Sequence, residues 1–317
     1  MKKNINICGL NADSGKKVQG FVNILDTDTK MPVTIINGQE DGNIVLLTAG
    51  IHGAEYPCIK TAIELAKEIE PKEVKGAVII VHPVNTQAFI ERRVAIVPED
   101  NKNINRVFPG NENGTISDKI AYVLTNKFQK ISDFYVDMHG GDLHESLYSY
   151  VYYPGIGEED IVKRSKAIAE KVNVDYMVRS SATTGAYNSA AILGTPSILI
   201  ERGGCGLCKN EDVEAYKKDI YNILRTLHVL DETEDKIKTP LEINEVKYID
   251  SEYDGCLEMH VKSGEKIKKG QKLYEITDFF GNVLNEHNAE YDGVVLYNTV
   301  SYAISKNSSI IAYGKLN

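Results

Sequence analysis

The chain has 317 residues, 42% of them hydrophobic, and is long enough to bury a large core. Its formal net charge of −9 argues against a nucleic-acid backbone or an anionic membrane as partner, because both favour a basic face. No apolar segment follows the amino-terminal lysines, and no run approaches the roughly 20 residues of a membrane span. Five cysteines do not resemble a disulfide framework, so we expect a cytoplasmic protein.

Short apolar runs alternate with helical patterns over most of the chain. Candidate strands are VQGFVNIL, MPVTIING, NIVLLTAG, AVIIVHPV, FYVDMH, SYVYYP, VDYMVRS and PSILIERG, and candidate helices span residues 58–69, 117–131, 158–171, 186–193 and 210–230. Several strands are almost continuously apolar, as in strands that are buried on both faces. This alternation predicts an α/β fold, with a mixed, mostly parallel sheet flanked by helices.

The pattern changes after Leu230. A charged segment, DETEDKIKTPLEINEVKY, reads as a linker, and short strands punctuated by glycine turns follow it. We therefore predict a catalytic domain over residues 1–235 and a smaller all-β domain over residues 236–317.

The stretch GIHGAE places His52 and Glu55 just after a buried strand. In an open α/β sheet, ligands bind beyond the carboxyl ends of the strands. These two residues are therefore candidate metal ligands, although a hydrogen-bonded structural pair would give the same pattern.

The stretch DFYVDMHGG ends a second apolar run with His139. Two histidines and one carboxylate with an open fourth position form the ligand set of a catalytic zinc site. Asp137 lies two residues earlier on the same strand face, where it would orient a ligand histidine or cap a neighbouring helix.

The stretch PSILIERGG ends a third strand with Glu201, where an unpaired carboxylate is costly. A glutamate beside a metal-activated water is suited to act as general base. Arg202 follows it. If Glu201 has only a structural role, Arg202 would neutralise its charge.

The polar stretch NTQAFIERRVAIVPEDNKNINRVFPG carries Arg92, Arg93 and Arg106 among asparagines. A guanidinium group in a cleft suits a carboxylate or a developing oxyanion. In isolation, such arginines are more often simply solvated.

Together these motifs resemble one family. The order H-G-x-E, N-x-x-A-F…R…P-x-D…N-x-N-R-x-F-P-G, D-x-H-G and E-x-G-G, over residues 32–204, is similar to the succinylglutamate desuccinylase/aspartoacylase group of the zinc carboxypeptidase-like (M14) hydrolases. The resemblance implies one Zn²⁺ per chain, bound by His52, Glu55 and His139. It also implies that Glu201 is the general base and later the proton donor to the leaving amine.

The resemblance further implies substrate-contacting residues. Asn105 and Arg106 would hold a polar or carboxylate group, and an arginine ahead of the proline would polarise the scissile carbonyl. The spacing to that proline is longer here than in the family pattern, and Arg93 is favoured over Arg92. His144 and Tyr187 are further candidates for the substrate pocket, and His144 is also an alternative ligand.

Two other features have weaker functional signals. Cys205 and Cys208 form a C-x-x-C without a partner motif. The simplest interpretation is that they have no functional role, and the alternative is a redox-sensitive pair. The carboxy-terminal part resembles a biotinyl/lipoyl-like half-barrel, but its hairpin tip, TDFFGN, has no lysine to carry a prosthetic group. We therefore expect a lid or an oligomerisation domain, and a homo-oligomer is possible.

The favoured function is zinc-dependent hydrolysis of an amide bond in a small N-acylated amino acid or amine. A metallocarboxypeptidase acting on short peptides is the main alternative, because the chemistry is shared. A catalytically idle binding protein is the third, and the intact ligand and base set argues against it.

Overall fold

The computed structural model describes residues 4–231, 233 and 235–316. The α-helices within these residues are α1 (Tyr56–Glu68), α2 (Thr86–Glu91), α3 (Ile116–Val123), α4 (Glu159–Ala169), α5 (Ala186–Ile192) and α6 (Asn210–Thr226). Short 3₁₀ segments cover Pro71–Glu73, Ile104–Arg106 and Gln129–Ile131, and a π-helical turn covers Leu124–Phe128. None of the helices in these described residues is long and apolar enough to cross a membrane.

Strands occupy much of the rest of the described chain. They are β1 (Ile5–Ile7), β2 (Leu10–Ala12), β3 (Lys16–Asn23), β4 (Lys30–Asn37), β5 (Glu40–Ala49), β6 (Lys75–Val81), β7 (Phe134–His139), β8 (Glu145–Leu147), β9 (Tyr150–Pro154), β10 (Tyr176–Ser180), β11 (Ser197–Glu201), β12 (Leu241–Ile243), β13 (Val246–Asp250), β14 (Gly255–Met259), β15 (Lys266–Ile267), β16 (Lys272–Thr277), β17 (Val283–Asn288), β18 (Gly293–Thr299), β19 (Ala303–Ile304) and β20 (Ser309–Lys315).

A nine-stranded sheet forms the centre of the described part of the molecule, in the order β12-β10-β9-β11-β7-β5-β6-β4-β3. The run β11-β7-β5-β6 is parallel throughout, whereas β9 is antiparallel to β11, and β4 is antiparallel to both β6 and β3. The fold is therefore mixed α/β, as the sequence predicts. The parallel run matters for function, because its carboxyl ends meet at one edge.

Apolar side chains cover both faces of this sheet. One core cluster packs α1, α4 and α6 against the strands, and a second packs α3 and α5 against the opposite face. Every residue of β7 is buried, which explains why its sequence shows no alternation of apolar and polar positions.

The carboxy-terminal strands form two further sheets, one of which takes in a strand from earlier in the chain. The order is β13-β20-β18-β15 in one sheet, where β8 also pairs with β18, and β17-β16-β14-β19 in the other. Leu147 lies opposite Tyr297 in the β8–β18 pair. This pairing fixes the carboxy-terminal β region against the end of the central sheet where the site lies.

Several predicted elements differ in their ends. The predicted helix 117–131 is helical throughout but changes geometry after Val123, and the predicted helix 210–230 ends at Thr226. The predicted linker falls partly on residues 232 and 234, which lie outside the described residues. Its second half is wrong, because Leu241–Ile243 is the edge strand of the central sheet, where Ile243 is buried. The charged residues made this segment look like a linker, although β12 pairs with β10 through backbone hydrogen bonds.

Candidate metal centre and substrate cavity

The chemistry-bearing residues follow three adjacent parallel strands. His52 and Glu55 come just after β5, His139 ends β7, and Glu201 ends β11. Glu55 is also the residue immediately before α1, where the positive end of the helix dipole favours a carboxylate. Sheet topology therefore brings four polar side chains from three chain segments to one edge.

Three of these side chains converge as a candidate metal site. Ligand atoms of His52, Glu55 and His139 all lie within 4.8 Å of one another. Glu55 Oε1 is 2.7 Å from His52 Nδ1, and Glu55 Oε2 is 3.0 Å from His139 Nδ1. Glu55 and His139 are buried, so the donors face each other in a protein-enclosed space. Two imidazole nitrogens and one carboxylate oxygen fit zinc, which prefers such ligands.

In each candidate ligand histidine, the Nε2 atom, which faces away from Glu55, is within hydrogen-bonding distance of a side-chain oxygen. His139 Nε2 lies 3.1 Å from Asp137 Oδ2, and His52 Nε2 lies 3.1 Å from Asn103 Oδ1. The same Asn103 oxygen accepts the backbone N–H of Asn105 at 2.8 Å, so it acts as an acceptor toward His52. A histidine that donates from Nε2 keeps the Nδ1 lone pair for a metal ion. Asp137 thus orients a candidate ligand, and among the described residues it caps no helix.

Opposite charges in this cluster shift the pKa values of its members. Burial alone would raise the pKa of Glu55, but His139 and His52 lower this pKa to about 2. Burial alone would lower the pKa of His139, yet Asp137 and Glu55 raise this pKa well above its usual value. Glu55 therefore stays ionised, as a carboxylate metal ligand must be.

A glycine between the first two candidate ligands permits a close approach of α2. A Cβ atom on Gly53 would lie 2.4 Å from the backbone carbonyl carbon of Ala88. Only a residue without a side chain fits there, so the turn from His52 to Glu55 packs directly on the α2 backbone.

Glu201 lies in the same cavity without a partner for one of its oxygens. Its Oε2 atom is buried and makes no hydrogen bond with the described residues. Burial, reinforced by Glu55 and Asp137 and opposed by His139, raises the pKa of Glu201 to about 8. Arg202 does not neutralise it, because the Arg202 guanidinium pairs with Asp219 at 2.6 Å on the other side of the strand.

The candidate metal site lies in a cavity of about 540 Å³. This volume is within the range of cavities that bind small molecules. Asn105, Arg106 and Tyr187 line it, as the sequence predicts for substrate-contacting residues. Asn105 also accepts the backbone N–H of Ala186 at 2.9 Å and so anchors the start of α5.

Three residues named from the sequence, Arg92, Arg93 and His144, are not among those that line this cavity. Among the described residues, neither Arg92 nor Arg93 lines it. Arg93 is exposed and lies 3.5 Å from Glu91, so its role in polarising the carbonyl stays a prediction. His144 is exposed as well, because its backbone N–H is held by Asp142 in a turn that faces solvent.

Much of the cavity wall comes from residues that pattern analysis did not single out. They are acidic and aromatic side chains together with two serines: Asp142, Glu145, Tyr150, Tyr152, Ser180, Tyr248, Asp250, Tyr297 and Ser309. Tyr248, Asp250, Tyr297 and Ser309 belong to the carboxy-terminal strands. The alternating tyrosines of SYVYYP were the one available signal, since period-two spacing puts Tyr150 and Tyr152 on one face. The hydroxyls of Tyr150, Tyr152 and Tyr248 form a hydrogen-bonded chain, in which those of Tyr152 and Tyr248 are 2.9 Å apart.

The fold and the site together define a class of protein. Its members have a mixed α/β sheet, and at the carboxyl ends of the parallel strands two histidines and one carboxylate lie beside a glutamate. Comparison with family models identifies the family. Residues 41–227 match the succinylglutamate desuccinylase/aspartoacylase catalytic domain, and the chain belongs to this family.

Individual relatives agree with this assignment. The chain is 29% identical over 277 residues to the N-alpha-acetyl-L-2,4-diaminobutyric acid deacetylase of Halomonas elongata, covering 84% of this chain and 80% of that one. The product-bound ectoine utilization protein EutE (DoeB) from Ruegeria pomeroyi has the same fold, with a TM-score of 0.85, 24% identity and 95% coverage of both chains. A succinylglutamate desuccinylase/aspartoacylase structure from Rhodobacter sphaeroides gives a TM-score of 0.84 and 24% identity, covering 95% of this chain and 96% of that one.

Proposed function

We propose that this protein is a zinc-dependent hydrolase that cleaves the amide bond of a small N-acylated amino acid. The observation that carries the proposal is the convergence of His52, Glu55 and His139 beside the unpartnered oxygen of Glu201. The deacetylase activity named for the relative from Halomonas elongata supports the same reaction class.

When bound at the three candidate ligands, a zinc ion supplies Lewis acidity, which polarises an amide carbonyl and makes water acidic enough to react near neutral pH. Glu201, whose raised pKa the charge of a bound zinc ion would lower, would accept the proton of the attacking water at its unpartnered Oε2 and deliver it to the leaving amine. Asn105 and Arg106 bind a carboxylate or polar group of the substrate from the cavity wall.

The wall supplied by the carboxy-terminal strands favours small substrates over peptides. Tyr248 and Tyr297 of these strands line the cavity, where their rings take space that a longer chain would need. We propose that residues 236–317 act mainly as a half-barrel-like lid on a catalytic region of residues 1–235, with β12 and β8 tying the two together.

Substrate screening with metal analysis tests the proposed function. We expect about one zinc per chain and release of free amino acid from N-acetyl and N-succinyl amino acids. Dipeptides serve as the comparison, and preferential cleavage of dipeptides would support a metallocarboxypeptidase instead. Zinc-loaded protein that hydrolyses neither class would contradict the proposal.

A further inference from the structure

The substrate cavity has an uncharged end that lies away from the candidate metal site. Its lining residues come from β10, from α5 and from the segment between them, and none is charged: Ser180, Ala182, Thr184, Gly185, Tyr187 and Asn188. β10 is parallel to β9, and β9 is antiparallel to β11, so Ser180 and Glu201 end strands that run in opposite directions. Two strand spacings separate these strands, which places the uncharged end about 10 Å or more from Glu201.

Asn188 contributes a polar atom without a partner to this end of the cavity. Only 3% of Asn188 is exposed, and its Oδ1 atom is buried and makes no hydrogen bond with the described residues. Its Nδ2 atom donates to the Thr184 carbonyl at 3.2 Å and to the Ser180 hydroxyl at 3.3 Å. Because a carbonyl can only accept, Thr184 fixes which atom of the amide is Nδ2 and leaves Oδ1 on the other side of the group. A buried acceptor of this kind is costly unless a donor reaches it.

Contacts of α5 hold Asn188 beside the segment that carries Arg106. Asn105 Oδ1 accepts the backbone N–H of Ala186 at 2.9 Å, and the Ser197 hydroxyl donates to the Tyr187 carbonyl at 2.6 Å. The first contact joins the start of α5 to residues 105–106, and the second joins the helix to β11. Since Arg106 is proposed to bind the substrate carboxylate, the amino-acid part of the substrate lies next to α5. Its side chain is therefore the part that reaches Asn188.

The surroundings of Asn188 favour a neutral donor over a cation. Its polar neighbours are a hydroxyl and a backbone carbonyl. Burial raises the pKa of Tyr187, so this phenol is uncharged at neutral pH. Among the described residues, the carboxylates that line the cavity belong to segments other than β10 and α5. A cation at this end would be buried without a counter-charge, whereas a neutral O–H or N–H group would pair with Oδ1.

We propose that Asn188 Oδ1 accepts a hydrogen bond from an uncharged donor on the side chain of the substrate amino acid. The preferred substrates are therefore N-acyl amino acids whose side chains carry a hydroxyl or carboxamide group. Arg106 holds the carboxylate of the same amino acid, and the acyl carbonyl lies at the metal site. This inference rests on the proposed hydrolase function and names its substrate class.

Two matched pairs of substrates test the proposal on the wild-type enzyme. N-acetylhomoserine and N-acetylnorvaline are close in size and differ in a hydroxyl, and N-acetylglutamine and N-acetylglutamate differ in a carboxamide. We expect kcat/KM to be higher for the donor-bearing member of at least one pair by about fivefold to a hundredfold, the usual cost of leaving a buried polar group unpaired. No preference in either pair, or a preference for the members without a donor, would overturn the proposal.

Replacing Asn188 separates recognition from a structural role. Asn188→Leu keeps a similar size but accepts no hydrogen bond, and Asn188→Ala is the smaller alternative. Each should lower kcat/KM for the preferred substrate more than for its partner, through KM and by about fivefold to a hundredfold. Asn113→Leu, at an exposed position, is the matched control and should behave as wild type. Equal losses on both members of a pair would show that Asn188 only supports α5 and would overturn the proposal.

A binding experiment keeps this inference distinct from the proposed function. Calorimetric titration of the zinc-loaded protein with homoserine, norvaline, glutamine and glutamate needs no turnover. Tighter binding of a donor-bearing amino acid that disappears in Asn188→Leu supports the inference even if no N-acyl amino acid is hydrolysed. Hydrolysis of N-acyl amino acids without a preference in either pair leaves the proposed function standing and overturns the inference. The wild-type comparisons need no variant, so they decide the matter even where Asn188→Leu fails to fold.

Discussion

Glu201 and His139 lie directly opposite each other in neighbouring parallel strands of the central sheet. Opposed residues point to the same face and are separated by one strand spacing, about 4.8 Å. The ladder of backbone hydrogen bonds between β11 and β7 therefore sets the candidate base beside a candidate metal ligand. Tyr216 reinforces this, because its hydroxyl donates to the backbone carbonyls of both His139 and Ile200.

Replacing the candidate base should separate metal binding from turnover. We expect Glu201→Gln to lower kcat by about 100-fold to 10,000-fold, the usual contribution of general acid–base catalysis, while one zinc per chain remains. Steady-state kinetics and elemental analysis measure the two quantities, with Glu258→Gln, at an exposed position of β14, as the control. An active Glu201→Gln protein would remove Glu201 as the base.

Metal removal should lower stability as well as activity. A ligand that binds only the folded state at 100 times its Kd stabilises that state by about 2.7 kcal/mol. Chelated protein should therefore unfold at a lower temperature, and added zinc should restore both the unfolding temperature and turnover. The variant His139→Ala should show no zinc-dependent shift. An identical shift in that variant would place the metal elsewhere.

The support of His139 by Asp137 should tune metal affinity. Asp137 is fully buried, and its Oδ1 atom accepts the Thr48 hydroxyl at 2.7 Å. We expect Asp137→Asn to weaken zinc binding by about 10-fold to 100-fold, because the amide supports the imidazole less well than the carboxylate does. Competition with a chromophoric chelator measures the affinity. The exposed Asp41→Asn is the control, and equal affinities would show that Asp137 does not act through His139.

The two candidate arginines should differ in their effects. Arg106 lines the cavity, whereas Arg93 is exposed beside Glu91. We therefore expect Arg106→Ala to raise KM about tenfold or more, and Arg93→Ala to change kcat/KM less than that. The exposed Lys163→Ala, on α4 and away from the cavity, is the control. A larger loss of kcat in Arg93→Ala would indicate that Arg93 enters the cavity during turnover and polarises the carbonyl.

Arg202 should matter for stability more than for chemistry. Arg202 forms an ion pair with the buried Asp219. It also donates a hydrogen bond to the Asn173 carbonyl at 2.9 Å. We expect Arg202→Ala to lower the free energy of unfolding by about 3–5 kcal/mol, because it leaves a buried carboxylate without its partner. Urea denaturation measures the loss, and adding Asp219→Asn should recover part of it. An unchanged midpoint would contradict this role.

The sequence by itself determined the fold class and the family. Nearly continuous apolar runs such as that of β11 predict buried parallel strands, and a polar residue at the end of such a run is visible without coordinates. His52, Glu55, His139 and Glu201 all stand at such ends, which made them candidates, and the resemblance of the ordered motifs to one family selected them.

Tertiary structure decided which side chains line the cavity. Glu145 is one of them, and its place in the wall depends on the pairing of β8 with β18, some 150 residues later in the chain. Likewise, Arg93 and Arg106 look alike in the sequence, yet only Arg106 is carried to the cavity among the described residues. Strand ends follow from local patterns, whereas a wall built from distant segments depends on packing and on backbone hydrogen bonds that no local pattern encodes.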